Sequence, residues 1–163
     1  MPDKETIDRA KEDAAEGKSA STQAGEFVRE EMHHIRAGKH GARSPQQAIA
    51  IGLSKARRSG VKLPAPGRGK TSSRTRRQAK RDLSKGRKSS RPSRRRSRAV
   101  RGALKRESRG AASRSALSRQ ARAAARRRGA RSRSAAARKA NRTKGAAGRR
   151  AAARKAGRTR RSR

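Results

Sequence analysis

The chain has no cysteine, no tryptophan and no tyrosine, and one phenylalanine among 163 residues. The missing thiols exclude disulfides, thiolate zinc sites and cysteine nucleophiles. The missing aromatics exclude a platform on which single-stranded bases stack. Hydrophobic residues are 29% of the chain, too few for a core of ordinary size. No apolar run approaches the roughly 20 residues of a membrane helix. The first residues have no signal-peptide apolar region and are too acidic for a mitochondrial transit peptide. No membrane span and a cytoplasmic location are therefore expected.

Acid is the next scarcity. Eleven Asp and Glu stand against 51 Lys and Arg, for a net charge of +40. Residues 1–31 hold nine acids and five bases, whereas residues 32–163 hold 46 bases and two acids. Arg outnumbers Lys 37 to 14, a bias that suits bidentate phosphate binding. The acidic head reads first as a solvated leader that keeps the chain soluble. Its second reading is a segment that folds back and competes for the tail.

The largest feature is the basic stretch from Pro64 to Arg163. It carries 39 Lys or Arg against Asp82 and Glu107, and its only large apolar residues are Leu83, Val100, Leu104 and Leu117. Four such side chains cannot offset the ordering entropy of a hundred residues, which predicts an intrinsically disordered, low-complexity tail. Its 37 net positive charges match roughly 60 Å of duplex DNA at one phosphate charge per about 1.7 Å. A flexible chain of this length spans roughly 55 Å, so reach and charge agree.

Helical signals lie ahead of that tail. Ala24, Phe27, Val28, Met32 and Ile35 share one face of a helix starting near Thr22, with Gly38 as its stop. Ser44, Pro45 and Gln47 form a capping box with proline at the first helical position. Ala48, Ile49, Gly52, Leu53 and Ala56 then make an apolar stripe, closed by Gly60 and Val61. Gly52 weakens this helix but permits close backbone approach. The hairpin core expected from this pattern is Phe27, Val28, Met32, Ile35, Ile49 and Leu53. It is small for the length it must order, so pairing with a second copy or docking on a partner is expected.

The resulting organisation has four parts. Residues 1–21 are an acidic, weakly helical leader, and residues 22–63 a helical hairpin. Residues 64–110 are a disordered Ser/Arg-rich segment, and residues 111–163 an Ala/Arg-rich tail. The fold class is mostly disordered with a small all-α element. In the last part Ala135-Ala136-Ala137-Arg138-Lys139-Ala140-Asn141-Arg142-Thr143 recurs as Ala151-Ala152-Ala153-Arg154-Lys155-Ala156-Gly157-Arg158-Thr159. Ala and Arg favour helix while like charges oppose it. Stretches near 111–128 and 135–140 are therefore expected to become helical only on DNA.

Glu31-Met32, Gly38-Lys39 and the run Ser44-Pro45-Gln46-Gln47-Ala48-Ile49-Ala50-Ile51-Gly52-Leu53-Ser54-Lys55-Ala56-Arg57 resemble a family of small, basic, uncharacterised bacterial proteins. In that family a Gly-Lys loop precedes a Gln-Ala-Ile-Ala-Ile-Ala/Gly-Leu-Ser helix. The loop here is shorter than in many relatives. The resemblance implies bacterial origin and a short helical unit, and no reaction. The tail resembles histone-H1-like nucleoid proteins in composition.

Other motifs weaken on inspection. Gly67-Arg68-Gly69-Lys70-Thr71 resembles the end of a phosphate-binding loop, but Pro64 stands where its first glycine belongs. His33, His34 and His40 with Glu30 and Glu31 raise a metal site, yet adjacent helical residues point about 100° apart. They read as surface histidines, so no metal or cofactor is expected. No acid/base pair sits in a plausible pocket, so no enzyme and no small-molecule substrate are expected. Ser59, Ser89, Ser90 and Ser97 follow basic residues, and a phosphate there would cut the tail's charge.

The expectation is sequence-nonspecific DNA binding in the nucleoid by phosphate neutralisation. The cations assigned to it are Arg74, Arg76, Arg77, Arg94, Arg95, Arg96, Arg98, Arg126, Arg127, Arg128, Arg138, Lys139, Arg154, Lys155, Arg160 and Arg161. The rivals are an RNA- or ribosome-associated basic protein and a protein-docking adaptor with a basic tether.

Overall fold

The computed structural model describes residues 2–86 and 93–161, so Ser89 and Ser90 lie outside the described residues. These residues form α1 (Lys4–Ala15), α2 (Ala20–Arg36), α3 (Pro45–Arg58), α4 (Ser73–Gly86), α5 (Arg94–Lys105), a 3₁₀ turn (Arg109–Ala112), α6 (Arg114–Arg127) and α7 (Ala130–Arg161). They divide into two compact units, Met1–Gln120 and Ala121–Arg163.

The predicted hairpin is present as α2 and α3, and its caps follow the sequence closely. The start of α2 lies earlier than expected: Ser19 is the cap, its Oγ accepting from the Thr22 amide. Gly38, at φ 76°, ends the helix, and the Lys39 amide donates back to the His34 carbonyl at 3.0 Å. At α3 the Ser44 hydroxyl accepts from the Gln47 amide at 3.2 Å. The Gln47 side chain accepts from the amide of Arg43, one residue outside the expected reciprocal bond. Past the far end, the Val61 amide donates to Ala56 and its side chain is buried.

The two helices meet at Gly52, where a Cβ would fall 2.7 Å from Val28 Cα. Two apolar clusters flank that crossing. One holds Met32, Ile35, Ala42 and Ala48, with Val28 and Ile49 half-buried against it. The other holds Ala10, Ala24, Phe27, Ala56 and Val61, with Ile7, Leu53 and Leu63 at its edge. All six predicted core residues thus lie in or beside the core.

The surroundings of the hairpin overturn the expected fold class. Of the described residues 77% are helical, so the chain is not mostly disordered with a short hairpin and a long low-complexity tail. The leader forms α1 and docks on α2, burying Thr6 and Ala10 and pairing Arg9 with Glu26 at 3.0 Å. Helix α4 packs on α3 through Ala79, and its Asp82 accepts from Ser54 Oγ at 2.8 Å. The 3₁₀ turn inserts Ala111 and Ala112 beside Met32 and Ile35. Backbone bonds hold it there: Gly41 N–H to the Leu104 carbonyl at 2.8 Å and Ala42 N–H to Ser108 at 3.0 Å. Arg36 Nε adds a bond to the Ala112 carbonyl. Gly41 is demanded by this crossing, because a Cβ would fall 1.9 Å from the Glu107 carbonyl oxygen.

The physical reason for the discrepancy is that large apolar side chains were the wrong measure. Ala79, Ala111 and Ala112 bury methyls in narrow gaps, and backbone bonds from the Gly41–Ala42 loop to Leu104 and Ser108 fix the chain around the last two. Leu117 also packs on the hairpin core. Stretches expected to be helical only on DNA are helical in the protein itself. In α6 the Ser113 hydroxyl accepts from the Ala116 amide, and Arg126 and Arg127 occupy the last turn. In α7 every residue from Ala130 to Thr143 is exposed, so intrinsic propensity of Ala and Arg carries it. It kinks at Gly145, whose φ of 59° interrupts the helical backbone.

Replacing Gly52 with valine should force α2 and α3 apart, costing about 1–3 kcal/mol as overpacking. Urea unfolding of the full chain followed by circular dichroism measures this. A change within about 0.5 kcal/mol, the size of an ordinary surface substitution, would contradict the close crossing.

Candidate nucleic-acid interface

The cations singled out in the sequence fall on four helices and just beyond one of them. Arg74, Arg76 and Arg77 lie on α4, with Arg76 half-buried and the other two exposed. On α5, Arg94, Arg95 and Arg98 line one shallow groove together with Arg106, over Ala99 and Gly102. Arg96 is exposed on the same helix but outside that groove. Arg126, Arg127 and Arg128 close α6. On α7, Arg138 and Lys139 join Arg142 around Ala135 and Thr143. Arg154, Lys155, Arg160 and Arg161 are exposed beyond the kink.

Arg106 and Arg142 were missed by the sequence reading, which favoured adjacent arginines. Helical spacing marks both, since Arg142 follows Arg138 by one turn and Arg106 follows Arg98 by about two. The Ala-Arg-Lys repeat also has a structural counterpart. Thr143 Oγ donates to the Lys139 carbonyl and Thr159 Oγ to the Lys155 carbonyl, each at 3.0 Å. These hydroxyls turn back to the helix and leave the neighbouring cations outward.

None of the predicted cations has an acidic partner among the described residues. The two acids of the basic half are turned toward the hairpin. Asp82, 3% exposed, accepts from Ser54 and from Gln78 Nε2 at 3.0 Å. Glu107 lies 4.0 Å from Arg43. The acids of the head are engaged locally as well. Glu26 pairs with Arg9 and Arg29, and Asp13 and Glu16 both stand 2.7 Å from Lys18, raising its pKa. Arg57 is the exception among the arginines. It is buried and donates to the carbonyls of Leu63 and Pro64. Burial lowers its pKa and Asp82 opposes that, but an arginine stays charged.

A second group of charges lies inside the first unit. Glu30 and Glu31 are buried on α2, with Lys55 Nζ of α3 at 3.3 Å and 2.7 Å from them. His34 is buried too, contrary to the expectation of surface histidines; only His33 is fully exposed. Its Nε2 lies 3.0 Å from Asp3 Oδ2, and its Nδ1 3.7 Å from Glu30. The bond from His34 lowers the pKa of Asp3. His40 returns from the loop to place Nε2 3.2 Å from Glu31 Oε1, while Nδ1 faces the Gly41 carbonyl at 3.1 Å. Adjacent helical histidines such as His33 and His34 point about 100° apart. The turn at Gly38 instead brings together residues six apart.

Among the described residues, no helix is long and apolar enough to cross a membrane. Residues 17–66, the hairpin with its flanks, match the model of a family of unknown function, DUF6496. No curated protein and no solved structure matches the chain.

Replacing Ser54 with alanine removes a donor to the buried Asp82 carboxylate. The expected loss is about 1–3 kcal/mol, read in urea unfolding, with α4 becoming the first element to exchange amide protons. Equal protection of α4 in the variant and the native chain would show that the bond does not anchor it.

Proposed function

We propose that the protein binds duplex DNA without regard to base sequence and acts in the nucleoid, by laying helical arrays of arginine against phosphates. The observation that carries this reading is the segregation of charge. The acids of the basic half face the hairpin, and the arginines of α5, α6 and α7 point outward without acidic partners among the described residues. Such a surface needs an external polyanion.

The helical form alters how the phosphates are met. At about 1.5 Å per residue, the arms of α7 on either side of Gly145 are each roughly 23 Å long, about two thirds of a duplex turn of about 34 Å. Arginine forks on every side allow contact in several orientations, which favours sequence-blind binding. The single aromatic, Phe27, is 1% exposed, which disfavours stacking of single-stranded bases. A second copy through the hairpin is not required, because α1, α4 and the 3₁₀ turn pack on α2 and α3.

Binding should weaken steeply with salt. With ten phosphates engaged, the slope of log affinity against log salt is about −9. Exchanging Arg138, Lys139 and Arg142 together for glutamine should reduce that slope by about 2 to 3 while α7 stays helical. Fluorescence anisotropy with duplexes of unrelated sequence measures both. A slope shallower than about −3, or strong preference for one duplex, overturns the proposal. Competition at fixed salt separates the nucleic acids: duplex DNA should win, and preference for ribosomal RNA would transfer the reading to ribosomal particles.

A further inference from the structure

We propose that Glu31, His34 and His40 form a binding site for one divalent late first-row metal ion, of the Zn²⁺ type. The three residues each offer a ligand atom, and these atoms lie within 4.8 Å of one another. They come from α2 and from the turn after it, and Glu31 and His34 are buried.

The histidines are held as metal-ligating imidazoles usually are, with the second ring nitrogen committed to an acceptor. His34 Nε2 donates to the Asp3 carboxylate, which leaves Nδ1 as a lone pair facing inward. His40 Nδ1 donates to the Gly41 carbonyl, which leaves Nε2 as a lone pair 3.2 Å from Glu31 Oε1. Two acceptors this close repel each other unless a cation bridges them.

Glu31 supplies the independent observation. It is 0% exposed, and neither carboxylate oxygen accepts a hydrogen bond. Lys55 stands at ion-pair distance from Oε2 and His40 from Oε1, yet neither is oriented as a hydrogen-bond donor to them. A buried carboxylate in that condition is costly. A proton on His40 would not satisfy it, because the N–H would be misaligned. A metal ion coordinated by both groups would.

Charge points the same way: Glu30 and Glu31 are both buried against the one ammonium of Lys55, which favours a further cation at this cluster. Two nitrogens and one carboxylate oxygen suit Zn²⁺ and leave its fourth tetrahedral position open. Such an ion would tie the loop at His40 to α2, and through the His34–Asp3 bond would hold the start of α1.

The test uses the full chain, freed of nucleic acid and metal, titrated with Zn²⁺ by calorimetry and with Co²⁺ by visible absorption. One ion per chain is expected, with tetrahedral Co²⁺ bands and a rise in Tm on adding Zn²⁺. His40→Ala should abolish the saturable site, and His33→Ala should leave it unchanged. Asp3→Asn should weaken it about 10–100-fold, the usual effect of removing such a supporting carboxylate. If His40→Ala loses its helical circular dichroism, Glu31→Gln replaces it with the same expected loss. No saturable ion in the native chain, unchanged affinity in His40→Ala or Glu31→Gln, or loss of the site in His33→Ala overturns the assignment. These readouts contain no nucleic acid, so they stand apart from the DNA proposal.

Discussion

The rest of the first unit depends on how closely α2 and α3 approach. At Gly52 the backbone of one helix passes against Val28 of the other, leaving no room for a Cβ. At that distance alanine is large enough to fill the space, and Ala24, Ala48 and Ala56 do so around Phe27 and Ile35. The same logic repeats outward. Gly41 admits the backbone at Glu107, and Gly86 sits against the Arg57 carbonyl. A chain poor in large apolar residues builds a core by bringing backbones together, and the contact energy then comes from many small close contacts. Removing one glycine would separate surfaces that have no bulky side chain to fill the gap.

That economy of apolar residues explains the use of charge. Asp82 is spent on an interior contact that holds α4 to α3, and Glu107 lies beside the exposed Arg43. Lys55, Arg57 and Arg58 show the converse. Their position in the last turn of α3 suits the helix dipole, but Lys55 and Arg57 are drawn inward to Glu30, Glu31 and the carbonyls after the helix. Only Arg58 stays exposed, bonded to its own helix at Ser54. Most acids of the sequence are thus engaged within the first unit, and the arginines of the outer helices have no acidic partner among the described residues.

How far this was legible in the sequence differs by element. The hairpin was written in local chemistry: the Ser44-Pro45-Gln47 cap, the Gly38 stop and the Ala56–Val61 closure each act within a few residues, and each formed. The docking of α1, α4 and the 3₁₀ turn was not legible, because its contacts join residues far apart in sequence through alanine methyls and backbone groups. Hydropathy counts give such residues little weight. The tail helices failed for a second reason. Repulsion among arginines was set above the helix propensity of Ala and Arg, and α6 and α7 form regardless. The cations assigned to DNA have no acidic partner among the described residues, in keeping with the shortage of acid in the composition, and all but Arg76 are exposed. The Glu31–His34–His40 grouping was concealed by the adjacency of His33 and His34. Only the reversal of the chain at Gly38 brings His40 back to Glu31.

The acidic head takes on a different role once these contacts are combined. As a solvated leader it would contribute charge alone, and as a competitor for the tail it would need free carboxylates. Several of its carboxylates are instead engaged in the fold: Glu26 is held by Arg9 and Arg29, Glu30 and Glu31 face Lys55, and Asp3 meets His34. Those carboxylates make the head a structural wall of the hairpin. A carboxylate paired within a few ångströms interacts weakly with cations more than a Debye length away, about 8 Å at physiological salt. Buried pairs are screened by salt far less than exposed charges, so salt that strips phosphate from the arginines should leave the buried pairs of the hairpin largely intact.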